Sequence, residues 1–111
     1  MARLDSFAIQ IKNTPGVTAY ISIINGEEFC PGEGQARAVR ARDYLIKRGG
    51  IPWNRVMWRD WGFSTEFLVA LELVPPGYAV YDPFSPRIPA SEARPRPDCV
   101  KIMKEIRGSK F

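Results

Sequence analysis

Near the start of the chain apolar residues return at helical spacing. Leu4, Phe7, Ala8 and Ile11 share one face until Asn13-Thr14-Pro15-Gly16 breaks the period. The pattern predicts a short amphipathic helix. Residues 17–24 (VTAYISII) are apolar on nearly both faces and rich in β-branched side chains, as an interior strand should be. A polar loop is expected from Asn25 to Gly34. A second helix follows from Glu33 to Arg48, with Ala38, Val39, Ala41, Leu45 and Ile46 on one side and Gly49-Gly50 as its stop. Arg55 to Arg59 alternates as a short strand before an Asp60-Trp61-Gly62 turn, and Ser64 to Val74 reads as the longest strand. On that strand Phe67, Val69, Leu71 and Leu73 should face the core, with Leu68, Ala70, Glu72 and Val74 on the other side.

The order helix, strand, helix, strand, strand predicts an α/β fold, an α+β two-layer sandwich. In it the strand–helix–strand portion forms a right-handed parallel crossover, the sheet is mixed, and two helices cover one face. Residues 1–77 hold this domain. Between Pro75 and Pro97 the chain has no sustained period and is rich in proline, so residues 78–111 read as a proline-rich tail running over the surface, without a sheet or helix of any length before Pro97. Tyr78, Tyr81 and Phe84 are candidates to pin it. Val100, Ile102, Met103 and Ile106 have the spacing to dock a terminal segment, and docking and disorder are both open from the pattern.

Composition narrows the chemistry. The chain has 111 residues, enough for one modest core, and no histidine, which removes the commonest general base and every His-containing metal site. No catalytic, metal or cofactor site is expected. Sixteen Lys and Arg against 12 Asp and Glu give a net charge of +4, and much of the excess falls on the second helix as Arg37, Arg40, Arg42, Lys47 and Arg48. Such a run is either a solvated helix face or an anion-binding patch. Arg42 falls within the apolar arc, where it must reach the edge or find a carboxylate such as Asp60 or Glu72. Cys30 and Cys99 permit one intramolecular disulfide, worth about 4 kcal/mol in the chain-entropy model. Two free thiols are the default reading. No stretch approaches the ~20 apolar residues of a membrane helix, so no membrane insertion is expected.

The runs Gln35-Ala36-Arg37-Ala38-Val39, Asp43-Tyr44-Leu45-Ile46, Gly50-Ile51, Asn54-Arg55-Val56 and Gly62-Phe63, following Leu4 to Ile24, carry a resemblance. Together they resemble the OmpA-like C-terminal domain. The segments 2–10, 32–38 and 71–77 are further similar to bacterial envelope proteins that join such a domain to a proline-rich end. The resemblance implies a βαβαββ domain without enzymatic activity that holds the diaminopimelate portion of peptidoglycan in the periplasm or cell envelope, if the natural chain carries an export signal. It assigns Arg37 as the ligand-binding arginine. Where the family carries an aspartate for the ligand's ammonium, this chain reads Asn25-Gly26-Glu27-Glu28, so Asn25, Glu27 and Glu28 are candidates, with Arg40 one turn beyond Arg37. The family's Asn-Arg-Arg signature is replaced by Ser64-Thr65-Glu66, and nothing before Leu4 supplies the family's first strand.

A guanidinium at a helix start clamps a carboxylate through two parallel hydrogen bonds, which is the physical case for Arg37. A surface arginine in water is the plain alternative. Three further readings stay beside this one. A missing first strand would leave a sheet edge to pair with a protein partner or a second copy. Trp53, Trp58 and Trp61, interleaved with Arg55 and Arg59, have the composition of a single-stranded nucleic-acid platform, although core and edge packing accounts for them better. Asp60 and Glu66 flank a turn, but a carboxylate pair needs a cleft to act as acid and base.

Overall fold

The computed structural model describes residues 2–84 and 87–108. Helix α1 (Ala2–Asn13) buries Leu4, Phe7, Ala8 and Ile11, the stripe that its spacing predicts. It ends where Thr14 Oγ1 donates to the Gln10 carbonyl and Gly16 turns the chain at φ +87°. Strand β1 (Thr18–Asn25) then crosses the middle of a three-stranded sheet. Helix α2 (Glu33–Lys47) returns the chain, and strand β3 (Val56–Phe63) lies parallel to β1, with Ala19 opposite Val56 and Ile21 opposite Trp58. Between β2 (Glu28–Phe29) and β5 (Arg94–Pro95) a second, parallel pairing forms. Strand β4 (Leu68–Val74) pairs antiparallel to the other side of β1. The sheet is mixed, and the chain is an α+β fold with helices packed on a sheet.

Burial follows from this order. Ala19, Ile21 and Ile23 of β1 meet α1 and α2 in one core with Ala38, Leu45, Ile51 and Val56, while Val69, Leu71 and Leu73 pack against its margin. Each of the larger aliphatic side chains contributes about 1.5–3 kcal/mol by leaving water. The exit from α2 is closed by backbone hydrogen bonds. Arg48 and Gly49 amides donate to the Tyr44 carbonyl, the Ile51 amide donates to that of Leu45, and Gly50 adopts φ +69° between them.

Three elements differ from the sequence reading. Asp60-Trp61-Gly62 is not a turn, because β3 runs through it to Phe63, with an irregularity in register opposite Ile23 to Asn25 that absorbs the extra residue. The strand expected from Ser64 starts only at Leu68. The Ser64 amide is instead spent on the Asn25 carbonyl at 2.8 Å, which folds residues 64–67 back across the end of β1. The Asn25–Gly34 loop is partly strand, since Asn25 closes β1 and Glu28–Phe29 form β2.

The tail runs over the surface, and of docking and disorder its terminal segment takes docking. It is a strap with structure of its own. Phe84 is buried, whereas Tyr78 and Tyr81 stay exposed, and the Ile88 amide donates to the Phe63 carbonyl at the end of β3. Farther on, β5 hydrogen-bonds to the β2 segment through Arg94 and Arg96 amides. Helix α3 (Cys99–Gly108) then docks on α2, with Ile106 buried, Ile102 and Met103 half-buried, and Val100 left in solvent. Positions 85, 86 and 109–111 of the tail lie outside the described residues. Cys30 and Cys99 are not free thiols but a disulfide, with Cα atoms 5.2 Å apart across 69 positions. The sequence alone lacked the β2–β5 pairing that brings them together.

Candidate functional site

The start of α2 sits over one end of the sheet, and its contacts are built by Glu33. This side chain is 7% exposed, and its two oxygens accept from the Cys30 amide at 3.2 Å and from Arg37 Nε at 3.0 Å. The Glu33 amide in turn donates to the Cys30 carbonyl, so the turn entering the helix is tied in both directions. Arg37 is thereby aimed rather than free. Its guanidinium lies 5.4 Å from the centre of the Phe67 ring, and its side chain is 40% exposed. Among the described residues its terminal amino groups have no hydrogen-bond partner, and these are the groups that clamp a carboxylate.

Asn25 is placed at the same end of the sheet, but its amide is already used. Nδ2 donates to both Asp60 carboxylate oxygens at 3.1 Å and to the Gly62 carbonyl at 2.9 Å. Asn25 therefore positions Asp60 and locks the ends of β1 and β3 together. The Gly62 amide also donates to Asp60 Oδ1 at 2.8 Å. Asp60 remains exposed, and these donors leave part of its acceptor capacity open. Gly34 makes the arrangement possible. A Cβ there would stand 2.5 Å from both Asn25 Oδ1 and Ile23 Cδ1.

Glu27 and Glu28 lie exposed at the entry to β2, and the Glu27 carbonyl receives the Arg94 amide. Arg40 lies one turn beyond Arg37 and faces the groove toward α3. Sequence reasoning missed two members of the site, Asp60 and Phe67. Asp60 was read as part of a turn, and only the parallel register, which sets it opposite Ile23, carries it beside α2. Phe67 was assigned to the core face, which is correct, yet its ring also supports Arg37.

Other candidates take structural roles. Arg42 is paired with its neighbour Asp43 at 3.3 Å, not with Asp60 or Glu72. The tryptophans occupy separate environments: Trp53 is exposed, Trp58 packs against the core, and Trp61 is covered by Arg59 at 3.8 Å. Arg55 donates to the carbonyls of Ile11, Thr14 and Val17, capping the end of α1. Tyr44 donates to Asp5 Oδ1 at 2.7 Å, and this hydrogen bond, aided by burial and the nearby Asp5 charge, raises the phenol above its usual pKa. No helix among the described residues is long and apolar enough to cross a membrane. Of the protein-family models, curated proteins and solved structures compared with the chain, none matches it.

Proposed function

We propose that the chain is a non-catalytic binding domain of the bacterial cell envelope, a divergent relative of the OmpA-like C-terminal domain, that holds peptidoglycan or a related small zwitterion at the start of α2. The observation that carries this reading is a pair of opposite charges at one end of the sheet. Arg37 lies over Phe67 on the β4 side of the central strand, and Asp60 lies on the β3 side, against Gly34. A ligand with carboxylate and ammonium groups, such as the diaminopimelate portion of a muropeptide, has a partner for each. The strand–helix–strand crossover and the antiparallel strand after it agree with the fold that the resemblance implies. The disulfide supports an oxidising compartment such as the periplasm.

Titration with a soluble diaminopimelate-containing muropeptide tests the reading. Arg37→Ala should weaken binding by about tenfold or more, as loss of a charge-assisted pair does. Asp60→Asn should weaken the muropeptide more than an analogue lacking the free ammonium. Absence of binding by the unaltered chain would refute the proposal.

A second reading rests on β4, which has no strand on its outer side among the described residues. The Val69 carbonyl on this strand accepts from Arg3 at 3.0 Å, so a cation sits against it. A protein partner or second copy adding a strand here would make mass in solution rise with concentration, and a constant monomer mass would exclude self-pairing.

A further inference from the structure

The face of α2 turned toward α3 carries a cluster of cations that reaches well beyond Arg37. Buried Ile106 divides a groove into hollows of about 360 and 330 Å³, and Arg40 borders both. Arg107 of α3 joins it on one side; Arg37 and Arg96 join it on the other. Four guanidinium groups face two carboxylates, Asp43 and Glu105. Asp43 is already held by Arg42 at 3.3 Å, Arg96 reaches Asp98 at 3.4 Å, and Arg37 is held by Glu33 at 3.0 Å. One positive charge remains over. Arg40 Nε is shielded from solvent and has no acceptor among the described residues, which is costly for a donor that an anion could satisfy.

The geometry points to a binding site for a phosphate-type anion, a phosphomonoester or diphosphate, centred on Arg40 and closed by Arg96 and Arg107. The donors come from α2, the strap before α3, and α3 itself. A tetrahedral group with several oxygens meets donors from several directions, whereas a planar carboxylate engages one fork. This site goes beyond the zwitterion reading, because Arg96 and Arg107 are supplied by the tail and not by the end of the sheet.

The test uses the full, disulfide-bonded chain labelled with ¹⁵N, titrated separately with pyrophosphate and with succinate at constant ionic strength. Saturable shifts should centre on Arg40, Arg96, Ile106 and Arg107, with pyrophosphate bound about tenfold more tightly than succinate. Exposed Arg96 can be changed without opening the core, and Arg96→Ala should weaken pyrophosphate binding by about tenfold. Shifts at Gly34 and Asp60 report the other site, so failure of one reading leaves the other measurable. Equal affinity for the two anions, unsaturable shifts at every basic position, or unchanged affinity in both Arg96→Ala and Arg107→Ala would overturn the proposal.

Discussion

Gly34 has no room for a side chain, and this links one residue to the site. A methyl group there would press on Asn25 and Ile23 and come within 3.2 Å of Asp60 Oδ2. Gly34→Ala is expected to cost about 1–3 kcal/mol, read as a lower urea midpoint. It should also disturb the Asn25 and Asp60 resonances before those of α1. Tyr44 makes a prediction of opposite pH character to that of a paired carboxylate. Its folded pKa is raised above the unfolded value of about 10, so its stabilising contribution is complete below that pH and is lost as pH climbs through the folded value. Denaturation at neutral and alkaline pH should show a fall in stability that Tyr44→Phe makes shallower. An equal alkaline fall in the variant would contradict the assignment.

At the scale of elements, Arg55 joins α1 to the sheet. Its hydrogen bonds close the Ile11 and Thr14 carbonyls at the end of the helix and the Val17 carbonyl at the entry to β1. Arg55→Ala should cost about 1.5–3 kcal/mol in a thermal or urea melt. Lysine should not restore it, because an ammonium lacks the planar fork. The strap depends on a covalent tie. Replacing Cys30 and Cys99 together by alanine should lower stability by about 4 kcal/mol in the chain-entropy model. Amide exchange should then quicken in α3 before β1, and uniform loss of protection would show that α3 and the core open as one unit.

These elements show where a sequence is informative. Helices α1 and α2 and strand β1 were legible because their apolar residues repeat over several turns or crowd one buried strand. Phe67, Val69, Leu71 and Leu73 were placed on the correct face for the same reason. What failed was non-local. Asp60-Trp61-Gly62 has turn residues, yet pairing with β1 keeps it in a strand. The β2–β5 ladder joins Glu28 to Arg94 and Phe29 to Pro95, pairs too short and too distant to leave a period. From that ladder follow the disulfide and the docking of α3.

For the whole molecule, the same distinction governs the site. Arg37 was accessible to sequence reasoning because a helix start and its preceding turn are local features. The resemblance puts its counterpart in the stretch of Asn25, Glu27 and Glu28, whereas the carboxylate at the end of the sheet beside α2 is Asp60, brought there by the parallel register. The proposed zwitterion would therefore lie between the β4 and β3 sides of the central strand. The most direct measurement is co-sedimentation of the disulfide-bonded chain with isolated peptidoglycan sacculi, comparing the unaltered chain with Arg37→Ala and Asp60→Asn at two salt concentrations. The account predicts that the unaltered chain pellets with sacculi at both, and that each substitution releases most of it while the folded signal is unchanged. Failure of the unaltered chain to pellet, or equal pelleting of all three, would contradict it.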